Sequence, residues 1–444
     1  MDAETLKEIQ EYCTIFDKIN PNEIAQQIIE KIYNEAIITL DDTDEMFSYN
    51  KLTGLYEPCE KVLENTIQLS VGKKTTTHFC NEVLASVRRQ TRKKREEIQP
   101  PVQYIPLKNC IYNMLENTIL PYSDENIFFS KHPIEYLPEE KLALDDLNNP
   151  IEKFLEEITE KEEDILLIKE IIGYCFYRGM PFHIIAIFVG TGANGKSTLL
   201  NLLQEMIGKE NISNETFQAL TNDKFASAQL ENKNANIFFD LPNKSFKDVG
   251  ILKAASGGDL LKSEKKFQQG HYFKNYAKLI ASCNEIPETP DQSDAFYRRW
   301  LIINFPNCFE GKENRNLLQE LCTEYNKSLF FNHCIDAFRL AMLANAFIRK
   351  EGIAEKRTKY NLYSSSPSVF CEKYVEQESG NYIPTKDVYN KYLEFCKAEN
   401  IQPKNEVWFF KSLYKFFGNN NVWKRRIEVG EGNKECVVEG IWWK

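Results

Sequence analysis

The stretch HIIAIFVGTGANGKSTLLNLLQEMIG, residues 183–208, constrains this chain more than any other. HIIAIFV is a short, continuous apolar run rich in branched residues and predicts a buried parallel strand; the leucines that follow recur at helical spacing and stop at Gly208. Between them, Gly190, Gly195, Lys196 and Ser197 complete the pattern G-x-x-x-x-G-K-[ST]. A loop of this kind turns its backbone N–H groups inward on a polyphosphate, which side chains would obstruct and glycines permit. The lysine then reaches the β and γ phosphates and the serine hydroxyl holds Mg²⁺. Gly190, Gly192, Asn194, Gly195, Lys196, Ser197 and Thr198 are therefore the candidate nucleotide contacts, and ATP with Mg²⁺ the expected ligands.

At 444 residues the chain has room for two to four domains, at about 150 residues each. Hydrophobic content of 42% and charged content of 27% are close to average globular usage, which predicts an ordered, well-cored protein. No apolar run approaches the length of a membrane span, and MDAETLKEIQEYC lacks the basic-then-apolar plan of a signal peptide, so the expectation is a soluble cytoplasmic protein with no membrane partner. The 12 cysteines are scattered without a C-x-x-C pair, and five histidines are too few to partner them, which favours buried reduced thiols over zinc. A net charge of −10 argues against wholesale coating of nucleic acid but leaves room for a locally basic groove or channel.

Residues 1–180 read as a mainly helical N-terminal or collar domain, with apolar residues of EIAQQIIEKIYNEAI at three- and four-residue spacing. The run VRRQTRKKREE, with Arg88, Arg89, Arg92, Lys93, Lys94 and Arg95, reads as a solvated helix face or a phosphate contact, the former being the commoner use. QPPVQYIP interrupts near residue 100, and TEKEEDILLIKEIIGYCFYRGMPF predicts a capped helix delivering the chain to the glycine-loop strand. Residues 181–365 alternate strands and short helices, as an α/β nucleotide core would, and YNLYSSSPSVF reads as a linker. In 366–444, helices TKDVYNKYLEFCKAEN and EVWFFKSLYKFFG precede two extended runs around GEGN, suggesting a winged-helix-like DNA-binding domain with Lys424, Arg425 and Arg426 on its hairpin.

Hydrolysis needs more than a phosphate cradle: an acid for Mg²⁺, a polar sensor of the γ phosphate and a positive charge for the transition state. NANIFFD is an apolar strand ending in Asp240, the candidate Mg²⁺ acid beside Ser197. AKLIASCNEIP ends a second apolar strand in Asn284, a sensor amide or a structural one. In DAFYRRWLIINF, Arg298 and Arg299 stand side by side before a buried strand; adjacent side chains point differently, so one of them at most reaches a given phosphate.

In this order and spacing, GTGANGKS, FFD, LKAASGGDLLKSEKKF, IASCNEIP and DAFYRRW resemble the superfamily three AAA+ helicases of the poxvirus and phage/plasmid primase-helicase type. The resemblance covers roughly residues 100–310 and implies an α/β AAA+ P-loop NTPase core working as a homo-oligomer, a hexameric ring on single-stranded or forked DNA. It implies that Lys196 and Ser197 bind phosphate and Mg²⁺, that Asp240 is the second-motif acid and Asn284 the sensor, and that Arg299, or else Arg298, is the finger reaching a neighbouring subunit. It also implies a channel hairpin after Gly257, Gly258 and Asp259, from about Leu260 to Lys278, where Lys262, Lys265, Lys266, His271 and Lys274, with Phe267 and Phe273 between them, would hold DNA. Leu241 stands where many relatives have a second acid, and neither Asp248 nor Glu231 can be assigned as the water-activating base. The N-terminal 180 residues lack the length and carboxylate pattern of a primase, so a separate primase or polymerase is the expected partner. Two other functions fit less of the pattern: an origin-binding initiator using ATP as an assembly switch, and a small-molecule kinase, which needs neither hairpin nor late arginines.

Overall fold

The computed structural model describes residues 3–15, 19–138, 149–264, 270–312, 314–418, 421–428 and 434–444. They divide into two compact units, the first being Met1–Lys141 with Phe176–Arg178 and Glu264–His271, the second Leu142–Cys175, Gly179–Ser263 and Tyr272–Lys444.

In chain order the first unit contains α1 (Ala3–Ile15), α2 (Pro21–Gln27), β1 (Ile37–Leu40), β2 (Met46–Asn50), β3 (Leu55–Pro58), α3 (Glu60–Val71), α4 (Thr77–Gln90), β4 (Arg92–Lys93), β5 (Tyr104–Pro106), β6 (Ile111–Asn113) and β7 (Thr118–Leu120). Asn20 caps α2 by accepting from the Asn22 amide, with Pro21 in the first turn where its missing N–H costs nothing. The helices close on Ile9, Ile24, Leu63, Ile67 and Val83, all buried. The strands form two sheets, β3-β2-β1-β4 and β5-β6-β7. A mainly helical reading of this region misses both sheets, because strands of two to five residues are too short to display alternation. β1, for example, is buried at all four positions.

Three cations of the basic run, which begins in the last turn of α4, pair within this unit. Arg88 pairs with Glu60, Arg92 with Asp41 at 3.1 Å and Asp44 at 2.6 Å, and Arg95 with Asp42 at 2.5 Å. The run is not one helix face, since α4 ends at Gln90 and Arg92 enters β4, which pairs parallel with β1.

The second unit opens with α5 (Pro150–Ile158) and with α6 (Glu162–Phe176) up to Cys175, residues that a collar domain of 1–180 would include. They pack here instead, because their apolar stripes are covered from within this unit. An added Cβ at Gly173 would lie 2.2 Å from the Cys334 carbonyl oxygen, a close approach that only glycine permits. β8 (Ile185–Val189) and α7 (Lys196–Ile207) flank the glycine loop, and β9 (Ile212–Ser213), α8 (Phe217–Asn222), β10 (Ala235–Phe238), α9 (Gly250–Gly257), β11 (Leu260–Ser263), β12 (His271–Lys274), β13 (Lys278–Cys283), α10 (Asp294–Tyr297) and β14 (Trp300–Asn304) follow. Five strands form one sheet in the order β14-β8-β13-β10-β9, every neighbour parallel. Their runs are buried on both faces, as sheets covered by helices require.

The chain continues through α11 (Leu317–Leu321), α12 (Glu324–Ala344), α13 (Ile353–Ser364), α14 (Ser366–Tyr374), β15 (Val375–Pro384), α15 (Thr385–Ala398), α16 (Glu406–Phe417), β16 (Trp423–Glu428) and β17 (Lys434–Trp443). The stretch YNLYSSSPSVF is not a linker: it ends α13 and begins α14, with Pro367 in the first turn of the latter. Polar residues mask two anchors there, Tyr360 in the sheet's core and Phe370 in the C-terminal core, both fully buried. The C-terminal segment runs helix, strand, helix, helix, strand, strand, with sheet order β15-β17-β16. Among the described residues no helix is long and apolar enough to cross a membrane.

One buried carboxylate makes the second unit pH-sensitive. Burial raises the pKa of Glu170 on α6 to about 7, although both its oxygens accept from the Ile348 amide, at 3.1 and 3.0 Å. A raised carboxyl pKa means the folded state holds the proton more tightly, so stability falls as pH rises from about 4.5 to about 7. Glu170→Gln is expected to raise the melting temperature at pH 8 by several degrees and to change it little at pH 5; thermal unfolding at the two pH values checks this.

Candidate functional site

The glycine loop leaves the carboxyl edge of β8 and returns as α7. Gly192, Ala193 and Gly195 all have positive φ, at 122°, 46° and 82°, a run of left-handed backbone that turns consecutive N–H groups toward one centre. A Cβ at Gly190 would meet Asn194 Nδ2 at 2.0 Å and the Phe305 carbonyl oxygen at 2.7 Å, and one at Gly195 would meet Ile158 Cγ2 at 2.4 Å. Glycine is thus required here by contacts as well as by conformation.

Lys196 crosses the loop from inside. It is 6% exposed, and Nζ donates to the Gly190 carbonyl and to Asn194 Oδ1, both at 2.7 Å. The Asn194 amide in turn donates to the Phe305 carbonyl at 3.0 Å, tying the loop to the chain beyond β14. Burial lowers the Lys196 pKa, while the Cys283 thiol and the Asp240 carboxylate act to raise it. An anion entering the loop would favour the charged form further.

Parallel pairing brings the next candidates to the same edge. Cys283 lies opposite Val189 in the sheet, so Asn284 leaves β13 beside Gly190, whose N–H donates to the Cys283 carbonyl at 3.2 Å. Asp240 follows β10, one strand further away, with β13 between it and the glycine-loop strand. Its φ of 53° is unusual for a non-glycine residue, and its N–H points to Ser282 Oγ at 3.3 Å. Left-handed backbone held by its surroundings is a common feature of working sites.

Gly192, Asn194, Gly195, Lys196, Ser197, Thr198, Asp240 and Asn284 line one cavity of about 640 Å³. That volume lies within the range of small-molecule sites. Ser197 and Asp240 are both exposed within it. A hydroxyl and a carboxylate are the hard oxygen donors that suit Mg²⁺ when phosphate oxygens and water complete the shell. Among the described residues no group of three or more His, Cys, Asp or Glu is poised to hold a metal unaided.

The far wall is one the sequence reading missed. Phe154, Glu157 and Ile158 on α5 face it, together with Phe309, Lys312, Asn314 and Leu317 beyond β14. Periodic Ile151, Phe154, Leu155 and Ile158 mark α5 as amphipathic, but periodicity does not say what a helix covers. Leu241 is buried in the core beside Asp240, Glu231 accepts from Ser263 Oγ, and Asp248 accepts from the Gly250 amide. None of the three lines the cavity, where Glu157 is the carboxylate besides Asp240 among the described residues.

The arginine pair divides sharply. Arg298 is exposed at the end of α10, whereas Arg299 is 7% exposed, with Nε donating to Ser256 Oγ at 3.1 Å, Nη2 to the Lys253 carbonyl at 3.4 Å and Nη1 to the Ala295 carbonyl. Preference for Arg299 as the outward-reaching residue therefore runs against its burial. Neither arginine lines the cavity of its own chain.

β11 and β12 pair as a two-stranded sheet. Lys262 and Lys274 are exposed and His271 half-buried, while Lys265, Lys266 and Phe267 lie outside the described residues. Phe273 does not face outward with the basic residues: it is 6% exposed in the core, and its neighbour Tyr272, 64% exposed, takes the outward position with Leu260. Strand parity separates them, since successive side chains alternate faces.

Three segments match known protein families: residues 24–160 a "D5 N terminal like" family, residues 369–443 a "Poxvirus D5 protein-like" family, and residues 188–299 a family of unknown function, DUF5906. The chain resembles D5-type proteins at both ends. Over 129 residues, 28% of this chain, it is 30% identical to "Putative helicase L207/L206" of Acanthamoeba polyphaga mimivirus, and over 148 residues, 31% of the chain, 32% identical to "Putative helicase 121R" of Invertebrate iridescent virus 3. These matches span 13% and 16% of those proteins' lengths. A solved structure of the NrS-1 C terminal region covers 96% of this chain and 100% of its own, at a TM-score of 0.48 and 12% identity, too distant to fix fold or function.

Proposed function

We propose that this chain is the motor of an ATP-dependent DNA helicase or translocase that serves replication of a virus, phage, plasmid or mobile element as a homohexameric ring. The observation that carries the proposal is the convergence of Lys196, Ser197, Asp240 and Asn284 on one cavity at the carboxyl edge of a parallel sheet, where open α/β sheets bind their ligands. The likeness to viral proteins named as helicases points the same way.

In this reading the core is an AAA+ P-loop fold. The β and γ phosphates of ATP enter the loop, and Lys196 exchanges Gly190 O and Asn194 Oδ1 for phosphate oxygens. Ser197 and Asp240 would hold Mg²⁺, which would supply charge neutralisation for the phosphates. Asn284 presents its amide to the γ phosphate and the attacking water. Arg298, exposed on α10, is the finger offered to the neighbouring subunit's nucleotide, reversing the preference drawn from sequence. Leu260, Lys262, Tyr272 and Lys274 form the outward face of the channel hairpin, where lysines meet backbone phosphates and the tyrosine ring meets a base. The helix–strand–helix–helix–strand–strand segment acts as a winged helix at the fork, with exposed Lys424 and Arg426 on one face of β16 turned to duplex and Arg425, on the other, paired with Glu439 at 2.9 Å.

The deciding experiment is ATP turnover by the purified protein with and without single-stranded DNA. Stimulation of about tenfold or more is expected if a polynucleotide-driven cycle couples to the site. Turnover that ignores DNA, with oligomers that form only when ATP is bound, would instead support an initiator using nucleotide as an assembly switch. Leu241, apolar and buried directly after Asp240, favours that reading.

A further inference from the structure

We propose that Arg299 is a positioning residue that ties the C-terminal end of α9 to α10, and that, because the same helix end holds both feet of the β11–β12 hairpin, the hairpin's root moves with the arginine pair. This rests on the motor reading for its functional consequence, though not for the clamp itself.

The geometry is that of a helix end closed by a cation. Three carbonyls in the last turn of α9 accept from Arg299 or from the hairpin's feet, besides the Gly258 amide that caps the helix on Ala254 and Ala255. Arg299 Nη2 donates to the Lys253 carbonyl at 3.4 Å, the Asp259 amide to Ala254 at 3.1 Å and Asn275 Nδ2 to Ala255 at 2.7 Å. Asp259 precedes β11 and Asn275 follows β12, so both feet of the hairpin are held on the same helical turn. Gly258 makes the exit possible with φ of 72°, and the Asn275 amide donates back to the Asp259 carbonyl at 3.5 Å.

Arg299 completes the clamp from the other side. Its Nε bonds Ser256 Oγ, itself fully buried and donating to the Leu252 carbonyl at 2.6 Å. The Asp259 carboxylate lies close by: a Cβ built on Gly257 would sit 3.4 Å from Asp259 Oδ2 and 3.8 Å from Arg299 Nη2. A planar fork with five donors serves Ser256 Oγ and the Lys253 and Ala295 carbonyls together, which an ammonium cannot. Further along, the Lys262 carbonyl accepts from Ser227 Oγ at 2.7 Å, so β11 is braced as it leaves the clamp. Arg298 is the next residue in the chain and exposed. A nucleotide drawn against Arg298 by a neighbouring subunit would therefore pull, through Arg299, on the helix end that holds the hairpin's feet.

The test uses the full chain and three variants: Arg299→Ala, Arg299→Lys and Ser256→Ala. Hydrogen exchange across residues 252–278 is expected to accelerate about tenfold or more in Arg299→Ala, less in Ser256→Ala and Arg299→Lys, with exchange across 185–207 unchanged. ATP turnover without DNA is expected to stay within about twofold of the parent in all three, while stimulation by single-stranded DNA is lost in Arg299→Ala and partly kept in Arg299→Lys. Unchanged exchange across the hairpin in Ser256→Ala and Arg299→Lys would overturn the clamp even if Arg299→Ala failed to fold. Loss of basal turnover with the stimulation ratio intact would overturn it too, by placing Arg299 in the chemistry. If the parent protein itself ignores DNA, the motor reading fails while the exchange result still judges the clamp.

Discussion

Lys196→Ala is expected to lower ATP turnover by about 10²-fold or more, the scale on which single charge-stabilising donors act in enzyme sites. The lysine is the cation held within the loop, and its Nζ is already 2.7 Å from two loop oxygens, so it need only exchange partners when phosphate arrives. Its loss leaves the Gly190 carbonyl and Asn194 Oδ1 without that donor, a cost of about 1–3 kcal/mol if they stay dry. Asn194 lines the cavity, where water can replace the ammonium, and the sheet beneath is independent of the side chain. The variant should therefore fold, and thermal unfolding measured beside turnover separates the two effects. Lys196→Ala turning ATP over at the parent rate would remove the loop from the chemistry. A fluorescent ATP analogue distinguishes lost binding from lost hydrolysis, and both are expected to suffer if, as proposed, Lys196 meets the β as well as the γ phosphate.

The parts of this site that can be read from sequence are those where one residue type does a job nothing else can do. Glycines at 190 and 195 are demanded by contacts under 3 Å, and the apolar strand before them by burial on both faces. Asp240 and Asn284 are readable for a related reason: a polar residue ending an apolar run marks the edge of a parallel sheet. Choices that depend on parity are not readable. Arg298 and Arg299, like Tyr272 and Phe273, are neighbours of which one is exposed and one buried, and a shift of one residue would exchange them. Tertiary placement is equally silent, since α5 announces an apolar face without saying that Phe154 and Ile158 will floor a cavity entered from β8. The linker reading of YNLYSSSPSVF failed because single aromatics, Tyr360 and Phe370, anchor it to two cores while serines dominate its composition.

Arg298→Ala is expected to reduce DNA-stimulated turnover by about 10³-fold, the scale on which an arginine supplied from another subunit acts in phosphoryl transfer. The reason is positional. Arg298 does not line the cavity of its own chain, its side chain is exposed, and the Lys356 Nζ that donates to its carbonyl at 2.9 Å fixes the backbone rather than the guanidinium. If Arg298 completes a nucleotide site, that site belongs to another copy of the chain. Mixing Arg298→Ala with Lys196→Ala therefore carries the argument further than either variant alone. Each is dead by itself, but in a mixed ring an intact loop on one subunit meets an intact arginine on the next, and activity returns. The same mixture made with Arg299→Ala should behave differently, because that variant keeps its own arginine 298 and loses the hairpin clamp, a defect confined to the chain that carries it. Recovery with Arg298→Ala identifies a site shared between subunits. Failure to recover, with both variants folded and assembled, would confine catalysis to one chain and return the arginine pair to a structural role.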